Sequence, residues 1–118
     1  MNNSFIEICI YEVKPEKADE FETLIKEVAE HHKKIKGVID AKYIKRTYRQ
    51  GDFNSVKEGK PAIRLTKKPR TITYVLYWEL ENEIVHGKAT QSGLEKYYKR
   101  FTRCLTKMPK IILGDKLI

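Results

Sequence analysis

The chain has 118 residues, 41% of them hydrophobic and 34% charged. That suits one domain with a modest core, and it excludes a disordered chain. The formal net charge of +8 keeps nucleic acid in view as a partner, but most of the excess sits in residues 49–70, which hold seven basic and two acidic side chains.

Residues 5–13, FIEICIYEV, predict a strand. Ile6, Ile8 and Ile10 share one face; Phe5, Cys9, Tyr11 and Val13 share the other, with Glu7 among them. Apolar side chains on both faces predict cover on both. Pro15 opens a helix, and Glu16, Asp19 and Glu20 place negative charge at its positive end. Phe21, Leu24, Ile25, Val28, Ala29, His32 and Ile35 recur at helical spacing, and Gly37 suits the residue after the C-cap. Residues 38–48 read as a second strand. Residues 49–70, with two glycines and two prolines, read as a long basic loop or a flexible hairpin.

Residues 71–80, TITYVLYWEL, form the strongest strand pattern, with Ile72, Tyr74, Leu76, Trp78 and Leu80 alternating. Residues 82–92 predict a short helix limited by Gly87 and Gly93, and residues 94–107 a second helical segment stopped by Pro109. Residues 110–117 predict a last strand. The order β-α-β-β-α-β implies a single α+β domain over residues 1–118, a ferredoxin-like antiparallel sheet with its helices on one face. The other face reads half apolar, with Val75 and Tyr77 among threonines, which predicts a homodimer built sheet against sheet.

Cys9 and Cys104 are isolated, so they form neither a disulfide framework nor a zinc site. No leader pattern and no membrane-length apolar run occurs, so a cytoplasmic protein without membrane association is expected. HExxH, CxxC, GxSxG and phosphate-binding glycine loops are all missing. No catalytic nucleophile is assigned, and neither a metal nor a cofactor is expected.

Five residues are candidates for binding a small molecule. Trp78 could stack on an aromatic ligand or donate its indole N–H; the competing reading is a core tryptophan. Tyr74, four residues earlier on the same face, could donate to a ligand carbonyl or serve as a general acid, against plain packing. Tyr97 and Tyr98 follow the same logic, one packing on the sheet and the other tipping towards the helix end. His86 suits proton transfer near neutrality, against a surface or capping role beside Gly87. His31 and His32 are adjacent and do not form an i, i+4 metal pair; their position near the helix C-terminus suits the dipole. In residues 49–70, Lys57, Lys60, Arg64, Lys67, Lys68 and Arg70 could contact phosphates, but Phe53 is the only aromatic there, which favours a solvated flap over a nucleic-acid site.

Three stretches carry a family resemblance: VKPEKADEFETLIKEVAEHHKKIKGV, YVLYWELENE and TQSGLEKYYKRF. Together they cover about half the chain and resemble the antibiotic-biosynthesis-monooxygenase group of dimeric α+β barrel proteins. The resemblance implies a homodimer with a pocket between sheet and helices in each subunit. It implies an aromatic, polyketide-like substrate and a cofactor-independent monooxygenase, with a non-catalytic binding or interaction module as the alternative. The chain departs from the haem-degrading branch of that group, with Ile8 at its strand-one Asn position and Tyr97, Tyr98 and Lys99 where that branch has a late-helix His. Ala89 takes the place of the His that often precedes the small-residue break, which disfavours haem degradation.

Overall fold

The computed structural model describes residues 3–118. Its elements are β1 (Phe5–Val13), a 3-10 turn (Pro15–Lys17), α1 (Ala18–Lys33), β2 (Val38–Lys45), α2 (Phe53–Lys57), β3 (Ile72–Leu80), α3 (Glu83–Cys104) and β4 (Lys110–Asp115). The four strands form one sheet in the order β2-β3-β1-β4, with every pairing antiparallel. This is the ferredoxin-like arrangement expected from the element order.

The alternation in β1 and β3 decides which side chains enter the core. Cys9, Tyr11 and Val13 of β1 and Tyr74, Leu76, Trp78 and Leu80 of β3 are buried beneath the helices. From α1, Phe21, Leu24, Ile25 and Val28 close over them. Phe21 is the hub, with its ring against Tyr11, Tyr74 and Phe101. Register places Ile44, Val75 and Ile10 in one row on the opposite face, and Tyr77, Ile8 and Ile112 in the next.

The sequence-based division of residues 82–107 into two helices is corrected. One helix of 22 residues runs through both glycines. Asn82 caps it, its side-chain oxygen accepting from the Val85 N–H at 2.9 Å. Each interior glycine costs about 1 kcal/mol relative to alanine, and packing of α3 against α1 outweighs that cost. Gly93 is buried at this contact, where an added Cβ would lie 3.0 Å from His32 Nε2. The helix therefore needs a small residue at the position that looked like a break.

The second strand also ends earlier than expected. Beyond Lys45 the chain leaves the sheet, and Tyr48 pairs with Arg64 in an isolated bridge. Arg49 N–H donates to the Ile63 carbonyl and Leu65 N–H to the Thr47 carbonyl. The basic segment is thus a hairpin-like excursion carrying α2. Within it Arg49 is paired with Asp52, and Arg64 lies over the Tyr48 ring.

Gly37 makes the turn from α1 into β2. Its φ is +98°, and an added Cβ would lie 2.8 and 2.9 Å from the two Val85 methyl groups. Gly37→Ala combines left-handed strain with a clash and should cost about 2 kcal/mol. A shift of the urea midpoint at unchanged slope would register this loss; an unmoved midpoint would contradict it.

Candidate functional site

A cavity of about 380 Å³ opens between the sheet and the two long helices. Strand alternation aims Glu7, Cys9 and Tyr11 of β1 into it, beside Leu76 and Trp78 of β3 and Tyr43 of β2. α1 contributes Val28 and His32, one turn apart on its buried stripe. α3 contributes Gly93, Leu94, Tyr98 and Phe101. Met108, Pro109 and Ile111 border the cavity where the chain leaves α3 for β4.

The walls are mainly apolar, and the polar groups gather at one end. His32 is buried and stacks on Trp78, with ring centroids 4.3 Å apart and planes 19° from parallel. His32 Nε2 and Trp78 Nε1 are buried with no hydrogen-bond partner among the described residues. Burial pushes the His32 pKa down to about 4; the neighbouring His31 and His86 push the same way, and the Ala89 backbone pulls against them. Its imidazole is therefore neutral near pH 7. The sequence places His32 on the apolar stripe and near the helix C-terminus, where it suits the dipole; the ring follows Val28 by one turn and is buried, and as a neutral group it adds no charge to that end.

Glu7 is 7% exposed and lines the same cavity. Its Oε1 lies 2.6 Å from His86 Nε2. His86 sits behind Trp78, with ring centroids 5.4 Å apart, and against Phe5 at 4.5 Å. Burial raises the pKa of Cys9 to about 11, so its thiol is protonated and not nucleophilic at neutral pH. Burial also raises the phenols of Tyr11 and Tyr43, which leaves these groups neutral hydrogen-bonding surface.

The five residues singled out in the sequence separate in space. Trp78 and Tyr98 line the cavity, and Tyr98 stands at its edge, 59% exposed. Tyr74 is buried elsewhere in the core, its hydroxyl donating to Glu22 Oε2 at 2.6 Å beside Lys45 at 2.8 Å. Burial and the Glu22 carboxylate raise its pKa, while Lys45 and the Tyr74 hydroxyl lower that of Glu22. Tyr97 packs between the long helices against Leu24 and Val28, with His31 at its edge, and not on the sheet. His86 reaches the site through Glu7. Among the described residues, no group of three His, Cys, Asp or Glu side chains could hold a metal ion.

Glu7, His32, Tyr43 and Gly93 were not among the sequence candidates. Glu7 had a readable signal: it is a carboxylate on a strand face otherwise lined by Phe5, Cys9, Tyr11 and Val13. His32 had one too, as a member of the apolar helical stripe. Tyr43 and Gly93 reach the site only through strand pairing and the approach of the helices.

No family model and no curated protein matches the chain. Several solved structures do. A conserved protein from Methanosarcina mazei Go1 is 21% identical, with a TM-score of 0.66 over 97% of this chain and 93% of its own. A protein from Nitrosomonas europaea, provisionally named an antibiotic biosynthesis monooxygenase, is 12% identical, with a TM-score of 0.70 over 99% of this chain and 93% of its own. A mutant form of SnoaB, a cofactor-independent oxygenase from Streptomyces nogalater, is 14% identical, with a TM-score of 0.66 over 98% of this chain and 95% of its own. No described helix is long and apolar enough to cross a membrane. The ferredoxin-like α+β fold of this chain is the fold of solved structures named antibiotic biosynthesis monooxygenases.

Proposed function

We propose that the cavity binds a small polycyclic aromatic molecule and that the chain acts on it as a cofactor-independent monooxygenase. The observation that carries this reading is the pair of orphaned polar atoms, Trp78 Nε1 and His32 Nε2, in an otherwise apolar pocket. A buried polar group without a partner costs about 1–3 kcal/mol, and a ligand oxygen facing these atoms would recover it. The volume lies within the range of about 300–1,000 Å³ typical of small-molecule sites. The stacked Trp78–His32 pair offers the ligand its hydrogen-bonding edge, which suits a flat ligand carrying a carbonyl or a hydroxyl.

In the reaction the substrate is the reductant and dioxygen the oxidant. An activated CH2 between aromatic rings becomes a carbonyl; one oxygen atom stays on that carbon and the other leaves as water. The chain's part is to hold the ring system, exclude water and place donors on the developing oxyanion. The oxygenase named among the structural neighbours supports this chemistry by its fold.

The chain contains one tryptophan, so its fluorescence reports on this site alone. A hydroxyanthraquinone should quench it saturably, and an anthrone should cause oxygen uptake that His32→Phe and Trp78→Phe both reduce. Saturable quenching without oxygen uptake would leave a binding module. No quenching across a panel of polycyclic phenols and quinones would overturn the pocket reading.

The oxygenase reading includes a homodimer. The open sheet face carries two adjacent apolar rows, and polar networks border them. Glu12 accepts from Thr71 and Thr73 at one end, and Glu79 accepts from Ser4 and Lys116 at the other. An apolar centre with a polar rim is the anatomy of a subunit interface.

A further inference from the structure

We propose that Glu7, oriented by His86, is the group that accepts the ligand's hydroxyl proton in this pocket, so that the site selects aromatic ligands bearing a hydroxyl and rejects carboxylates. The inference deepens the pocket reading above and rests on it.

A carboxylate in the middle of a sheet strand, 7% exposed, needs compensation. Its only hydrogen-bond partner among the described residues is His86 Nε2, at Oε1. Oε2 has none. No Lys or Arg side chain pairs with it, unlike Glu22 with Lys45 or Glu27 with Arg100. The groups that face it from the sheet are Cys9, Tyr11 and Tyr43, all of them neutral. A ligand carboxylate would set one acceptor against another at Oε2, whereas a hydroxyl would donate to it.

His86 is a positioning residue. It does not line the cavity, and its ring is held by Phe5 and Trp78 while its nitrogen fixes Oε1. Where a reaction follows, the ligand O–H bond breaks, the electron pair stays on the ligand oxygen, and the proton passes to Glu7 Oε2. The resulting aryloxide is more electron-rich than the phenol, which makes the ring system a better reductant of dioxygen.

The test is a calorimetric titration at pH 7 with three naphthalenes of similar size: 2-naphthol, 2-methoxynaphthalene and 2-naphthoate. The naphthol is neutral there and can donate, the methyl ether cannot donate, and the naphthoate is ionised. The wild-type protein should bind 2-naphthol about tenfold more tightly than the ether, in keeping with a hydrogen bond to a charged acceptor, and should not bind the naphthoate measurably. Glu7→Gln, whose amide can donate, should bind the naphthoate and lose the preference for the naphthol. His86→Phe should bring the naphthol-to-ether ratio close to one, and His86→Gln, which keeps a donor, should restore the ratio. Equal binding of all three ligands by the wild type would overturn the role of Glu7 and leave the pocket standing. Binding of none would overturn both readings. Should Glu7→Gln fail to fold, Glu7→Ser is titrated with the same three ligands and should likewise lose the preference for the naphthol.

Discussion

Acidification from pH 7 to pH 4 should remove up to about 3 kcal/mol of stability that His32→Phe does not lose. The sign follows from the two states of the imidazole. In the unfolded chain it titrates near its ordinary value of about 6.5. In the folded protein burial holds it at about 4. Between those values the unfolded chain binds a proton that the folded protein refuses, so stability falls as the pH falls. The contribution is complete above about pH 6.5 and gone once the pH has dropped through the folded value. One pKa unit corresponds to about 1.4 kcal/mol, which sets the upper bound. Glu20, Glu22, Glu27 and Glu79 are also held below their ordinary values, by partners such as Lys17, Lys45, Arg100 and Ser4, and they lose stability on acidification too. They are common to both proteins, so the difference between wild type and His32→Phe isolates the histidine. Phe keeps a ring against Trp78 and fills the same space. Urea denaturation at several pH values gives the measurement, and parallel curves for the two proteins would show that His32 is not buried neutral.

The same residue shows where sequence reading reaches and where it stops. The spacing from Phe21 to His32 put the histidine on the buried stripe of α1, and that spacing was visible. A histidine so close to a helix end has a second explanation in the dipole, and only the packing of α3 decides between the two. Gly93 is the other half of that contact. In the sequence it resembled a break, because an isolated glycine weakens a helix. In the fold it is the residue without which α3 could not approach the His32 ring. Local rules gave β3 with its faces, since alternation there is strict, and gave β1 from its β-branched and aromatic run, apolar on both faces with Glu7 set into one of them. They could not separate Tyr74 from Trp78: both lie on one face of β3, yet Tyr74 bonds Glu22 and only Trp78 borders the cavity. Tyr97 and Tyr98 divide in the same way, one between the helices and one at the cavity edge, because neighbours on a helix point about 100° apart.

A lone glutamate substitution on the open face of the sheet should turn the proposed dimer into a monomer without unfolding it. Ile8 is the site to choose. It lies at the centre of the face, paired across the sheet with Tyr77 on one side and Ile112 on the other. Ile44 in the adjacent row is 59% exposed and Ile112 is 51% exposed, so among the described residues no helix covers this part of the face. A monomer would therefore tolerate Ile8→Glu with little change in melting temperature, because the new carboxylate points to water. In a two-fold dimer the same change places two carboxylates at the centre of one apolar interface. Each would be buried without a partner at a cost of several kcal/mol, which weakens association by about a thousandfold or more. Light scattering across a dilution series should give the mass of a dimer for the wild type and of a monomer for the variant. Circular dichroism should overlay for the two proteins. A wild type that is monomeric at micromolar concentration would remove the dimer and leave the two apolar rows without the partner that explains them. The cavity lies on the opposite side of the sheet, so Trp78 quenching in the monomeric variant would also show whether the site is complete within one subunit.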